Sequence, residues 1–211
     1  MSKIQEIKTA VESGKVKLIA GLVQEALDVG DKPNDILDSG MVAAMRDIGA
    51  RFQANEVFVP EMLVAAKTMK KGVEVLRPFL ASGSLGKLGK CIIGTVAGDL
   101  HDIGKNLVAL MIESAGFEII DLGVDVPPEK FVDALNDHPD CRLVGASALL
   151  TTTMDALEDT VKTIHSGGYK DKVKIMIGGA PVTQEFADQI GADAYAPDAG
   201  SAASKAVQLV S

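Results

Sequence analysis

From residue 91 onward, short apolar runs alternate with stretches of helical spacing, and this alternation constrains the fold more than any other feature of the chain. The runs cover 91–97, 117–120, 143–146, 173–177 and a short piece near Ala194 and Tyr195. Between them, apolar residues repeat every three or four positions, as in Ile103, Leu107, Leu110 and Met111, or Met154, Leu157, Val161 and Ile164. Five strand-length runs alternating with five helices predict a parallel sheet buried on both faces by its crossover helices. Right-handed crossovers make this a doubly wound, flavodoxin-like (Rossmann-like) α/β domain with five strands.

The first 80 residues follow a different rule. No run there has strand character. Ile4, Ile7 and Val11 share a helical face, and Gly14 stops it. Leu18, Ile19, Leu22, Val23, Ala26 and Leu27 form a second face, ended by Gly30. Pro33 opens a third helix carrying Leu37, Met41, Met45, Ile48 and Phe52. After an apolar turn at Val57, Phe58 and Val59, Pro60 opens a fourth, with Met62, Ala66, Met69, Val73 and Leu76 on one side. The expectation is a four-helix bundle over 1–80, a small, polar, Gly-rich linker over 81–89, and the α/β domain over 90–211.

Composition removes several classes of function. With 21 basic and 29 acidic side chains, the net charge is −8, which disfavours nucleic-acid binding. Aromatic residues are 4% of the chain and Trp is absent, so stacking platforms for single strands are scarce. No apolar run approaches membrane-spanning length, and the N-terminus lacks a signal peptide's apolar core. Two cysteines, Cys91 and Cys141, are too few for a disulfide framework and suit a reducing cytoplasm.

In a doubly wound sheet, ligands sit beyond the carboxyl ends of the strands. Three segments lie there. The first is Gly98, Asp99, Leu100, His101, Asp102, Ile103 and Gly104. The second begins at Ser147 and runs through Leu149 and Thr151 to Thr153. The third is Gly178, Gly179 and Ala180. The first fits neither a dinucleotide fingerprint nor a Walker phosphate loop. The third strand ends in Ser147, where a receiver domain needs Asp. What stands out is one imidazole two residues after a carboxylate. A neutral imidazole ligates transition metals, and a carboxylate on its other nitrogen fixes the tautomer. His138 and His165 lie away from this edge, so no zinc-type ligand set forms. His101 is then either a loop histidine satisfied by its neighbour or the single ligand of a metal that arrives already held in a macrocycle.

Asp99-Leu100-His101-Asp102-Ile103-Gly104 matches the Asp-x-His-x-x-Gly motif of cobalamin-binding domains. Ser147-Ala148-Leu149 matches the Ser-x-Leu that follows it, and Gly178-Gly179 the later Gly-Gly. Residues 1–80 resemble the four-helix cap that precedes the cobalamin domain of methionine synthase, with Phe58-Val59-Pro60 at the corresponding turn. Nearly the whole chain thus resembles the stand-alone corrinoid proteins of methyltransferase systems.

The resemblance implies a corrinoid cofactor with His101 as the lower axial ligand of cobalt. Asp99 would hydrogen-bond His101, and Thr153 would stand where the family's relay has a serine. Ser147 and Thr151 would contact the cofactor's nucleotide tail, with Gly178, Gly179 and Ala180 beside it. Gly98, Leu100 and Asp102 would line the corrin, and Ile103, Gly104 and Leu149 complete the cofactor-binding set. Phe58 and Met62 would cap the upper face. The implied function is a methyl carrier whose cobalt cycles between Co(I) and methyl-Co(III), visited by several enzymes rather than catalytic alone. Its implied partners are a substrate:corrinoid methyltransferase, a second methyltransferase using tetrahydrofolate or coenzyme M, and a reductive activation protein. A mutase subunit, a cobalamin sensor and a plain interaction module are the competing readings. The methyl donor, whether methanol, methylamine, methoxyaromatic or betaine, is not encoded in these residues.

Overall fold

The computed structural model describes residues 2–80 and 88–210. Residues 81–87, which hold most of the expected linker, lie outside the described residues. The chain divides into two compact units, one helical and one α/β.

The helical unit contains α1 (Lys3–Glu12), α2 (Ile19–Asp28), a continuous helix over 33–53, and α5 (Val59–Leu76). The continuous helix joins α3 (Pro33–Asp35), a π-helical stretch (Ile36–Val42) and α4 (Ala43–Gln53). Its apolar positions explain the π stretch. Leu37, Met41 and Met45 recur every four residues, which overruns the α-helical 3.6. Wider winding keeps all three on the buried side. Local caps set the ends. Ser2 Oγ accepts from the Gln5 amide at 3.3 Å, and Glu61 reaches back to the Phe58 amide at 2.9 Å. Helix α1 packs on α2 and α4, and α5 packs on the same two. The four-helix bundle is therefore present.

In the α/β unit the strands are β1 (Lys90–Thr95), β2 (Glu118–Asp121), β3 (Cys141–Ser147), β4 (Lys174–Gly178) and β5 (Ala194–Ala196). All neighbours are parallel, in the order β2-β1-β3-β4-β5. This is the doubly wound order, with its switch point between β1 and β3. The helices are α6 (Ile103–Ser114), α7 (Pro128–Asp137), α8 (Met154–Ile164), α9 (Gln184–Ile190) and α10 (Ala199–Val210). Successive strand residues point to opposite faces. Ile92, Val144 and Ile175 enter one core with Phe131, Leu135, Leu157 and Val161. Their neighbours Cys91, Leu143 and Met176 enter the other, with Ile112, Ala202 and Ala206. Both expected domain folds are realised.

The register aligns Thr95 with Ser147, Ser147 with Gly178, and Gly178 with Ala196. Four strands thus end in one row, and the three singled-out segments leave from it. Cys91 and Cys141 are buried free thiols, and burial pushes both up from the ordinary thiol range. Among the described residues, no helix is long and apolar enough to cross a membrane.

Candidate functional site

Strand β1 ends at Thr95, and its side chain starts the site. The Thr95 hydroxyl donates to the His101 carbonyl at 2.9 Å, so its own oxygen accepts from Ser147 Oγ at 3.0 Å. The end of β3 therefore braces the end of β1, and β1 holds the backbone of the histidine. The chain turns through Gly98, whose φ of +79° is open to glycine without strain.

Asp99 follows, fully buried. Its Oδ1 accepts from the His101 amide at 3.0 Å and lies 2.7 Å from His101 Nδ1. Its Oδ2 accepts from the amides of Leu149 and Leu150 at 2.7 and 3.3 Å, and from Thr153 Oγ1 at 2.9 Å. Burial alone pushes this carboxyl up. The Leu149 and His101 amides, the imidazole and the Thr153 hydroxyl outweigh it and hold Asp99 well below the usual carboxylate range. An ionised Asp99 can only accept, so Nδ1 carries the hydrogen. That leaves the lone pair on Nε2, the nitrogen able to bind a metal.

Half of the His101 side chain is exposed. Around it stand Leu100 at 73% exposure, Ile103 at 85%, Leu149 at 43% and Leu150 at 39%. So many large apolar side chains in solvent at one edge mark a ligand-binding surface. Among the described residues, no group of three His, Cys, Asp or Glu side chains could hold a bare metal ion. A metal at His101 must bring most of its own ligands and a broad apolar periphery. The residues present fit a metallo-macrocycle bound through one imidazole.

The other expected site residues fall into place unevenly. Thr153 Oγ1 donates to Asp99 Oδ2. Ser147 is committed to Thr95, and Thr151 is exposed. Asp102 is exposed and accepts from Asn106 Nδ2 at 3.1 Å. Gly179 has a reason of its own. Its φ is +130°, and a Cβ there would lie 1.8 Å from the Ala148 carbonyl oxygen. The glycine lets the loops after β3 and β4 touch. Gly178 is half-buried, and Ala180 is exposed. In the helical unit, Phe58 is exposed with Val59 and Leu63, whereas Met62 is fully buried.

Three participants escape a reading by motif. One is Thr95. Another is Asp125, whose Oδ1 accepts from the Gly98 amide at 2.7 Å. The third is the pair of Lys105 and Asp121. Lys105 Nζ donates to both Asp121 oxygens at 2.7 and 2.6 Å and to Asn106 Oδ1 at 2.8 Å. Its side chain is 2% exposed, so α6 is pinned to the end of β2 through a buried ammonium. A lysine directly after a motif glycine was the available signal.

Residues 89–207 match a family described as "B12 binding domain", and residues 3–77 match a second family of the same description. The chain belongs to the B12-binding family. The cofactor is accordingly a cobalamin, a corrinoid that carries cobalt. Among relatives, the dimethylamine corrinoid protein of Methanosarcina barkeri is 40% identical over 209 residues, covering 98% of this chain and 97% of that one. A cobalamin-binding protein from Desulfitobacterium hafniense DCB-2 superposes with a TM-score of 0.82 at 28% identity, covering 99% and 98%. A chain of the methanol:cobalamin methyltransferase complex from Methanosarcina barkeri gives 0.87 at 26% identity, covering 99% of this chain and 79% of that one. The loop in which buried Asp99 meets the His101 ring lies within the matched residues 89–207.

Proposed function

We propose that this B12-binding chain is a corrinoid methyl carrier, loaded by a substrate-specific methyltransferase and emptied by a second one. The observation that carries this reading is the imidazole of His101, held at Nδ1 by buried Asp99, with no hydrogen bond at Nε2 among the described residues. When bound, the cofactor would supply a nucleophilic cobalt able to accept a methyl group and pass it on. His101 Nε2 would hold the cobalt, and Asp99 on Nδ1 fixes the tautomer and orientation of the ring. Thr153 has one hydroxyl hydrogen and two acceptors at 2.9 Å, Asp99 Oδ2 and the Leu150 carbonyl. Turning from one to the other changes the negative charge that Asp99 presents to the ring. Leu100, Ile103, Leu149 and Leu150 bind the corrin periphery and exclude water from it. Ser147, Thr151, Gly178, Gly179 and Ala180 would flank the nucleotide tail.

The name of the 40%-identical relative favours a methylamine as the methyl source. The acceptor enzyme uses coenzyme M or tetrahydrofolate, and a reductive activation protein returns oxidised cobalt to the cycle. We place the carrier in the cytoplasm, where buried free thiols persist. The test is methyl carriage itself. The cobalamin-loaded protein is reduced, given methyl iodide, desalted and mixed with a corrinoid:coenzyme M or corrinoid:tetrahydrofolate methyltransferase. The expected result is one methyl equivalent taken up per chain and passed to one of the two acceptors. A loaded protein that takes up no methyl, or releases none to either, contradicts the proposal.

A further inference from the structure

Among the described residues, two positions other than glycine have positive φ, Asn55 and Asp125. Asn55 ends α4 in an ordinary left-handed turn. Asp125 lies between β2 and α7, at φ +53°, beside the parallel bridge between Val96 and Val126. A left-handed residue with a side chain is strained, and glycine would fill that turn at less cost. The use of aspartate here calls for a reason in its side chain.

That reason is geometric. The Asp125 amide donates to the Asp99 carbonyl at 2.9 Å, and Asp125 Oδ1 accepts from the Gly98 amide at 2.7 Å. One residue therefore grips the backbone at two successive residues, Gly98 and Asp99, the second of them two positions before the histidine. The grip on Gly98 needs a side-chain oxygen, which glycine cannot supply. Asp125 is exposed, and no other hydrogen bond or ion pair of its carboxylate occurs among the described residues. The rest of the network starts from the backbone that Asp125 fixes. Asp99 can meet the imidazole at 2.7 Å and the β3–α8 loop amides together only if its own main chain is held in register.

We infer that Asp125 is a positioning residue for the axial imidazole. It acts through Gly98 and Asp99 to set where His101 Nε2 stands, and it touches neither the metal nor the ring. This inference rests on His101 being the cobalt ligand.

The test uses the full chain loaded with methylcobalamin. Asp125→Gly keeps the left-handed turn and the amide donor but removes the carboxylate. Asp125→Asn keeps a side-chain oxygen able to accept from Gly98. Absorbance reads the ratio of imidazole-bound to imidazole-free cofactor, and amide exchange reads the Gly98 N–H. The expected result for Asp125→Gly is a ratio lowered about tenfold with faster Gly98 exchange, the size expected for a lost charge-assisted hydrogen bond. Asp125→Asn is expected to restore most of the ratio. Wild-type ligation in Asp125→Gly overturns the inference, even with faster Gly98 exchange, because the clamp is then a fold contact alone. Identical spectra for wild type and His101→Ala overturn the ligand reading, and the positioning role with it. That failure shows without any Asp125 variant, so the two are distinguishable.

Discussion

The two units solve the problem of burial in opposite ways. In the helical unit the interior is almost wholly apolar, and methionine is prominent, with Met41, Met45, Met62 and Met69 all buried. Thr68 is the one buried polar residue among residues 2–80, and its hydroxyl is spent on the Val64 carbonyl one turn back. In the α/β unit Thr160 is spent the same way on the Ala156 carbonyl, but Thr95, Asp99, Lys105 and Thr153 are buried in the networks at the edge that carries His101. Charge divides the same way. Residues 2–80 hold 11 basic and 11 acidic side chains, whereas 88–210 hold 9 and 18, so the acidity resides in the α/β unit. Flexible side chains can re-pack around a change. A buried polar network cannot, because each broken link strands a desolvated group. One unit is built for tolerance and the other for exact placement of a ring.

Substitutions can break this contrast or sharpen it. The largest effect is expected at Gly179→Ala, where the new methyl would meet the Ala148 carbonyl oxygen at a φ of +130°. Backbone must move, and a loss of at least about 3 kcal/mol in urea unfolding is expected. Asp99→Asn is expected to cost about 2 kcal/mol at neutral pH, since an amide cannot serve every donor that now converges on the carboxylate. The Asp99 carboxyl is held below its ordinary value, so its ionisation favours the folded state above the unfolded pKa of about 3.9. The gap between wild type and Asp99→Asn should be full above about pH 5 and shrink as pH falls below 4. A gap that grows in acid would contradict the assignment of charge. Lys105→Met keeps the apolar stem and loses the ion pair. Asp121 is 40% exposed and can rehydrate, so about 1 kcal/mol is expected rather than the larger cost of a stranded buried charge. Gly72→Ala in α5 is the smallest. Its methyl would meet Met41 Cε at 2.5 Å and Ile19 Cγ1 at 3.0 Å, both movable side-chain ends. The helix-propensity gain offsets their shift, and a change within about 0.5 kcal/mol is expected. A loss at Gly72→Ala comparable to that at Gly179→Ala would break the contrast.

The architecture was readable from periodicity because both units obey simple rules of burial. Apolar runs bounded by glycine located the strands, and three- and four-residue spacing located the helices. The π-helical stretch at Ile36–Val42 was not anticipated, although the four-residue repeat of Leu37, Met41 and Met45 records it. At the site, Asp99, His101 and Thr153 were legible because a motif and the strand ends put them together. Thr95 was not, since its role depends on its register with Ser147 across β1 and β3. Asp125 and Asp121 were not, since their partners at Gly98 and Lys105 lie 27 and 16 residues away. Only the folded sheet brings the loop after β2 against the loop after β1.

The most direct measurement of the central claim is the absorbance spectrum of the methylcobalamin-loaded chain, wild type beside His101→Ala. The account predicts an imidazole-ligated spectrum for wild type and a base-off spectrum for the variant, with both chains folded. One shared spectrum would leave the fold intact and contradict the role of His101.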